Sequence, residues 1–216
     1  MRALFRTSAA LAGLLVGGVT TASASILFEV GPSFVQPSEN LLFHGEGLFT
    51  GPGMTIQGAT NQTGTVFNLT GVENLNAPSN GQARVEDELQ TGFTSLFIDA
   101  LDPDVFYQEF EANLNAAGNG VANIRVIDSK GTAFDFSYNV DGNGQNFFGL
   151  RAIDDQLIDS VLITTVGTEL ADVRQIRLGG VTEGDGTPDN VPEPSALLLF
   201  GITIAAAGRF ARRRPQ

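Results

Sequence analysis

The chain has 216 residues, a formal net charge of −12, a single histidine and no cysteine or tryptophan. The absence of cysteine excludes disulfides, thiol catalysis, thiolate metal sites and a lipid anchor on cysteine. All 24 acidic residues but only six basic ones lie between Glu29 and Glu193, a balance of −18. This span therefore lacks the basic footprint that a nucleic-acid partner requires.

The N-terminus has the composition of an export signal. A basic start, the short apolar stretch Ala9–Val19 and the small residues Ala22 and Ala24 follow one another. This order is typical of a secretory signal peptide, whose apolar helix is removed by signal peptidase. We predict a signal peptide over residues 1–24, with Ser25 as the first mature residue. The alternative is a buried N-terminal helix of a cytosolic domain.

Short segments punctuated by Gly, Asn, Asp and Pro fill residues 25–181. In Thr132–Val140 aromatic and polar residues alternate, and this period of two is typical of a half-buried strand. Phe106–Leu114 alternates more weakly, with Tyr107 on its polar side. The other predicted strands are Ile26–Val30, Met54–Gln57, Thr65–Leu69, Ala83–Glu86, Ser95–Ala100, Ala122–Ile127, Phe147–Ala152, Leu157–Thr165 and Val173–Leu178.

Around ten short strands at roughly 8–12-residue spacing favour an all-β fold, an antiparallel β-sandwich or jelly-roll-like single domain. The 16 phenylalanines suit the layer between two packed sheets. The sequence Asp128-Ser129-Lys130-Gly131 predicts a hairpin turn between two of the strands. Residues 182–190 are rich in Gly, Asp and Pro and predict a flexible acidic linker after the domain.

Residues 191–216 form a tail of three parts. In Val191–Ser195 two prolines flank a glutamate, so the segment cannot be helical and is expected to be extended and accessible. The apolar run Ala196–Gly208 predicts a short hydrophobic helix, which reaches only about 24 Å even when extended to Ala211. Because a bilayer core needs about 30 Å, we expect a transient anchor; a permanent single-span anchor is the alternative.

This tail resembles the PEP-CTERM sorting signal of Gram-negative bacteria. The resemblance implies recognition and removal by an exosortase-type transpeptidase or protease, with a transient stay in the inner membrane. The final arginines would hold the cytoplasmic end. The implied sorting residues are Val191, Pro192, Glu193, Pro194 and Ser195, together with Arg212, Arg213 and Arg214.

The stretch from Asn146 to Ile176 resembles the bodies often found above PEP-CTERM tails, which are similar to carbohydrate-binding-module-like sandwiches. This likeness implies a fold rather than an activity. With the tail, it makes the cell surface or an exopolysaccharide matrix the expected destination and exopolysaccharide a possible partner.

One loop has oxygen-bearing residues at alternate positions, as a calcium loop does. Asp141 and Asn143 are the weak candidate ligands, but the twelfth position, which should be a bidentate glutamate in an EF-hand, is Ala152. The Asp, Gly and Asn residues of this loop are equally typical of a turn. We therefore expect a turn and no cofactor, and bound Ca²⁺ is the open alternative.

Catalytic motifs are absent from the sequence. His44 is the only histidine, and no nucleophile elbow, zinc-binding helix or phosphate loop is present. Of the two tyrosines, Tyr107 is the better candidate for an exposed sugar platform and Tyr138 is expected in the core. We expect a non-enzymatic exported protein. The alternatives are a glycan- or calcium-binding adhesin-like module and a secreted glycan-active enzyme with a carboxylate pair.

Overall fold

The computed structural model describes residues 25–32, 34–78, 83–142 and 144–184. In these residues it has fourteen β-strands and no helix, so the all-β prediction is confirmed, and nothing there is a helix able to cross a membrane. The strands are β1 (Ser25–Val30), β2 (Glu39–Leu42), β3 (Gly53–Thr60), β4 (Val66–Asn76), β5 (Arg84–Asp87), β6 (Ser95–Ala100), β7 (Val105–Phe106), β8 (Glu109–Ala116), β9 (Gly120–Asp128), β10 (Ala133–Val140), β11 (Asn146–Ile153), β12 (Ile158–Val166), β13 (Leu170–Gly179) and β14 (Thr182–Glu183).

The strands form two main antiparallel sheets, β1-β11-β8-β13 and β3-β4-β6-β12-β9-β10, which β2 joins into one hydrogen-bonded path, and β7 pairs with β14 in a separate two-stranded sheet. Along one side β2 and β5 each pair with a strand of both sheets, β13 in the first and β3 or β4 in the second. The sheets pack face to face, because the ring of Tyr107 lies 5.8 Å from that of Phe67 on β4 and 6.3 Å from that of Phe110 on β8. The predicted antiparallel sandwich is therefore present.

The core forms where the inner faces of the two sheets meet. On β6, Leu96, Ile98 and Ala100 are buried while the residues between them are only half-buried. The same alternation recurs on β4 and β12. Each fully buried large apolar side chain contributes about 1.5–3 kcal/mol. Burial of the alternate apolar residues, whose period of two predicts the strands, therefore also stabilises the packing of the two sheets.

The side opposite β2 and β5 is closed by aromatic rings instead of backbone pairing. β1 and β10 are the edge strands there, and Phe28 of β1 stacks on Phe136 of β10 with 4.9 Å between ring centroids. The hydroxyl of Tyr138 donates a hydrogen bond to the Asn146 carbonyl at 3.0 Å. All three aromatic residues of β10 face inward, as the alternation of Thr132–Val140 predicts.

The prediction that Tyr107 is exposed is wrong. Tyr107 is fully buried. The weak alternation of Phe106–Leu114 is broken, because β7 ends at Phe106 and β8 begins only at Glu109. Between them Tyr107 forms an isolated bridge with Ile158, which turns its ring into the core.

Two short strands fall outside the predicted set. Both are defined by their partners: β2 has only four residues and joins the two sheets, and β14 pairs with β7 within the predicted linker. Neither has a local period long enough to recognise. By contrast, the observed β6 coincides with the predicted Ser95–Ala100.

We predict that Phe28→Ala lowers the free energy of unfolding by about 2 kcal/mol, less than the roughly 3–5 kcal/mol for a fully buried ring because Phe28 is only partly buried. The substitution removes the stacked ring that closes the open side. Urea titration measures the change. The control is Leu27→Ala on the same strand, whose side chain is 40% exposed and whose loss should cost less than half as much. Equal effects at the two positions would contradict the aromatic closure.

Candidate functional site

The outer face of the first sheet carries a row of polar side chains on its central strand. Alternate residues of β8 point away from the core. We call these residues the β8 ladder: Glu109, Glu111, Asn113 and Asn115. A polar strand face is ordinarily solvated, yet Glu111 is 4% exposed and Asn113 6%.

Each member of the β8 ladder contacts a polar side chain on a neighbouring strand. Glu109 pairs with Arg151 of β11 at 2.9 Å. The other three pair with β13: Glu111 with Arg177 at 3.5 Å, Asn113 with Gln175 at 3.3 Å, and Asn115 with Asp172 at 2.9 Å. Asp172 is held in turn by Arg174. The β8 ladder is thus a cross-strand network of paired charges and amides, which is how buried polar groups are tolerated.

The segment after β1 covers this face. Val35 is 1% exposed and packs over Gly149 of β11, where an added Cβ would approach the Val35 side chain to 2.9 Å. Arg151 lies against the same segment, with its guanidinium 5.4 Å from the ring centroid of Phe34. A glycine at position 149 therefore lets the covering segment approach the sheet closely.

A cleft of about 430 Å³ remains between this covering segment and the sheet. Its walls include Val35 and Pro37 on one side and Glu111, Phe147, Gln175 and Arg177 on the other. The charges of Glu111 and Arg177 offset each other, and Arg177 also donates to the Asn40 side chain at 3.1 Å. The cleft is thus polar without a net charge from this pair.

One buried polar atom beside the cleft has no hydrogen-bond partner among the described residues. It is Oδ1 of Asn113, whose amide nitrogen donates to Gln175. Asn113 lies opposite Phe147 in the strand register, so both its neighbours belong to the cleft wall. A buried polar atom left unpaired costs about 1–3 kcal/mol, which makes this position the least satisfied part of the β8 ladder.

The backbone beside Asn113 is irregular. The pairing of β13 with β8 shifts register between Arg174 and Arg177, and Gln175 within this bulge has a φ of 51°. A non-glycine residue in the left-handed region costs about 1 kcal/mol, and such residues cluster at ligand clamps. The bulge presents the exposed Gln175 side chain at the rim of the cleft.

The most buried carboxylates elsewhere serve neighbouring turns. Glu39 accepts hydrogen bonds from the backbone and hydroxyl of Thr63, and Asp87 from the backbone of Thr91 and Gly92. Burial raises the pKa of each carboxyl, but the hydrogen bonds outweigh it, so the pKa of both lies below the ordinary value. Asp128 caps the predicted 128–131 hairpin by accepting from the backbone of Lys130 and Thr132.

The outer face of the second sheet carries a different carboxylate pair, Asp99 on β6 and Asp159 on β12. Asp99 lies opposite Ser160, next to Asp159, in the strand register. Burial, followed by the charge of Asp159, raises the pKa of Asp99; burial, followed by the charge of Asp128, raises that of Asp159. Like charges that are partly desolvated in this way are a source of instability.

The two junctions of the domain meet at the same end of the sandwich, which we call the tether end. Ser25 pairs with Ile153 of β11. The preceding residue of β11, Ala152, donates its backbone N–H to the Gln108 carbonyl at 2.8 Å. Thr182 of β14 pairs with Phe106, two residues before Gln108. The amide of Gly184 donates to Asp104 at 2.9 Å, so the described chain stays within the fold to its last residues.

Only part of the predicted site falls on described residues. Ala22, Ala24, the motif Val191–Ser195, the arginines 212–214 and Asn143 lie outside them. Asp141 is exposed. Its backbone N–H donates to the Asn146 side-chain oxygen at 2.9 Å, and the Asn146 side-chain nitrogen donates to the Asp141 carbonyl at 3.0 Å, as in a turn. His44 is exposed. No group of three or more His, Cys, Asp or Glu in the described part of the chain could hold a metal ion.

Sequence reasoning missed the cleft. The alternation of Glu109, Glu111 and Asn113 was visible, but it predicts a solvated strand face. The covering segment that buries this face shows no periodic pattern of its own. The Gly149 that admits it was the one available clue, since a glycine inside a strand often marks a close backbone approach.

Comparison with known proteins identifies the C-terminal tail. Residues 190–214 match the model of the PEP-CTERM protein-sorting motif. The chain is therefore a PEP-CTERM sorting-domain-containing protein, and the motif marks an exported protein that an exosortase processes and sorts to the surface. No curated protein and no solved structure matches the chain.

We predict that Asp99→Asn raises the melting temperature at pH 7. Because the folded state raises the pKa of Asp99, its stabilising contribution is present at low pH and is lost as the pH rises through the folded pKa. Solvent screening keeps the gain below about 1 kcal/mol, which corresponds to about 2–4 °C at most. The gain should vanish near pH 3.

The matched control is Asp135→Asn, on an exposed strand face. Its hydrogen bond with Arg125 lowers the pKa of Asp135, so its substitution should slightly lower the melting temperature at pH 7. Differential scanning calorimetry from pH 3 to 8 measures both variants. A gain for Asp99→Asn that persists unchanged at pH 3 would contradict the carboxylate repulsion.

Proposed function

We propose that this protein is a non-catalytic component of the cell surface or of an exopolysaccharide-rich matrix. Signal peptidase removes residues 1–24, and the tail holds the chain in the inner membrane for a short time. An exosortase-type enzyme then cuts at the Val191–Ser195 motif and the sandwich is delivered outside. The observation that carries this proposal is the sorting-motif match at residues 190–214, directly after the domain.

The position of the two junctions supports this sequence of events. Ser25 already pairs with Ile153 in β1, so a cut after Ala24 keeps every described residue of that strand. The last described strand ends at Glu183, before the motif begins. All fourteen described strands therefore lie between the two proposed cuts, which leave the described core unchanged.

The length of the intervening segment also fits an enzyme at the membrane. Residues 185–190 can span at most about 22 Å, given about 3.6 Å per extended residue. The tether end of the sandwich must then lie close to the membrane until the motif is cut. Its exposed residues include Asp102, Asp104, Asp154, Asp155 and Glu183. Like charge repels this end from anionic lipid headgroups, which favours release once the covalent link is gone.

A non-catalytic body is supported by the uses of its buried carboxylates. Glu39, Asp87 and Asp128 each accept backbone hydrogen bonds from a neighbouring turn. The ladder residues Glu109 and Glu111 are each engaged by an arginine. A glycan-active enzyme needs two carboxyl groups free to act across a substrate bond. The five carboxylates already committed to turns and ion pairs fit a structural or binding role better than a catalytic one, whereas Asp99 and Asp159 are not engaged in this way.

The test of sorting is an intact-mass measurement on the protein recovered from its native host. We expect a product that begins at Ser25 and ends near Pro194. In a Pro192→Ala/Pro194→Ala variant we expect retention of the residues to Gln216, because alanines no longer keep the motif out of a helix.

The matched control is Pro188→Ala, which changes a proline outside the matched motif and should be trimmed as the natural chain is. A natural product that keeps Arg214 would show that the tail is a permanent anchor. Normal trimming of the double variant would show that the prolines are not what the enzyme reads.

A further inference from the structure

We propose that the free edge of β10 pairs with the same edge of a second copy of this chain, so that two sandwiches join through one antiparallel ribbon. The inference goes beyond sorting, because it concerns what the body does and holds whether or not the tail is cut. It rests on the regularity of β10, on its free backbone groups and on the charges at its two ends.

β10 has none of the features that usually protect an edge strand, which are proline, lysine, a bulge or a very short length. It is the last strand of its sheet and pairs with β9 in one unbroken register over Ala133–Val140. These eight residues include no proline, glycine or lysine. The one charged residue, Asp135, accepts two hydrogen bonds from Arg125 at 2.7 and 3.0 Å. The edge is therefore long, regular and without an uncompensated charge.

Alternate residues of β10 direct their backbone groups to the open side. At the hairpin the Asp128 amide donates to the Thr132 carbonyl, and this bond sets which residues of β10 are bonded to β9. Because bonded and free residues alternate in an antiparallel pair, the free N–H and C=O groups are those of Ala133, Asp135, Ser137 and Asn139. Among the described strands only β9 pairs with β10. A further strand can therefore be added at this edge.

The inner face of β10 offers apolar surface to such a partner. Phe134, Phe136 and Tyr138 pack against the core but are only half-buried. In an antiparallel pair of β10 strands centred on Phe136, Phe134 of one copy lies opposite Tyr138 of the other. Aromatic pairs directly across two strands are favourable. A second copy would thus cover ring surface that the open side leaves partly exposed.

The charges at the two ends of β10 favour an antiparallel partner of the same sequence. Lys130, in the hairpin before β10, and Asp141, directly after it, are both exposed. In the register centred on Phe136, Lys130 of one copy comes beside Asp141 of the other. Asp135 then lies opposite Ser137, so like charges do not face each other across the ribbon. An in-register parallel pair would instead bring like charges together at both ends.

The experiment is disulfide trapping, since the natural chain has no cysteine. In Ala133→Cys/Asn139→Cys the two exposed thiols lie about 20 Å apart on one strand, too far for a bond within one copy. In the proposed register each thiol lies opposite the other thiol of the second copy. The full chain is oxidised in a large excess of detergent micelles at physiological ionic strength, where charge repulsion is screened beyond about 8 Å. We expect a covalent dimer on a non-reducing gel.

The matched control is Ala133→Cys alone. An antiparallel pair keeps the two copies of residue 133 about 20 Å apart, so we expect at least tenfold less dimer than from the double variant. Equal yields from the two variants would indicate a parallel pair or random collision and would overturn the proposal. A double variant that stays monomeric would overturn it too, including the case in which another segment of the same chain covers the edge.

A second variant separates loss of pairing from loss of folding. Ser137→Pro, added to the double-cysteine chain, removes a free N–H, and proline is tolerated at an edge position whose N–H faces solvent. We expect a folded chain by its melting curve and at least tenfold less dimer. Ser137→Thr keeps the N–H and should leave the yield unchanged. An unchanged yield from the proline variant would contradict pairing through this edge.

The charges at the strand ends provide the last test. Lys130→Glu should lower the yield about threefold, because each end then brings two carboxylates together. Lys130→Glu/Asp141→Lys should restore the yield, since each end again faces the opposite charge. No recovery in the exchanged variant would overturn the antiparallel register. The mass of the trimmed product is measured separately, so failure of pairing would leave the sorting proposal standing, and failure of trimming would leave the pairing unaffected.

Discussion

The structure depends on the two-sided alternation of β8. Its inner residues Phe110, Ala112 and Leu114 are fully buried in the core, and its outer residues form the β8 ladder. β8 pairs with β11 on one side and β13 on the other, so both faces are fixed by the same register. A slip of one residue would place the ladder carboxylates in the core and the apolar residues under the covering segment. The core and the candidate site are therefore consequences of one pairing.

A domain with this much negative charge must limit repulsion locally, and the structure shows two ways of doing so. The buried carboxylates Glu39 and Asp87 accept backbone hydrogen bonds. These bonds stabilise both the negative charge and the turns that join the strands. In the pair Asp99 and Asp159, burial and the charge of a neighbouring carboxylate outweigh the hydrogen bonds, so the pKa of each is raised. Without disulfides, stability has to come from the core, from these turns and from the ring stacking of Phe28 on Phe136.

The sorting signal and the sandwich have separable roles that meet at the tether end. The motif at residues 190–214 marks the chain for sorting, and the last described strand ends at Glu183, before the motif begins. β14 pairs with β7 beside the bridge between Tyr107 and Ile158, so the exit of the chain is fixed to the fold at its last described strand. The cleft over β8 lies on an outer sheet face.

The sequence by itself determined the all-β class, most strands, the capped hairpin at Asp128 and the sorting tail, because each depends on residues close together in the chain. Strand alternation, turn residues and two prolines around Glu193 are local patterns. The tertiary structure alone decided that Tyr107 is buried, that β2 joins the two sheets, and that Glu111 and Asn113 lie under a covering segment. These outcomes depend on contacts between distant parts of the chain, such as Val35 over Gly149. A local sequence pattern does not indicate which segment will cover a polar strand face.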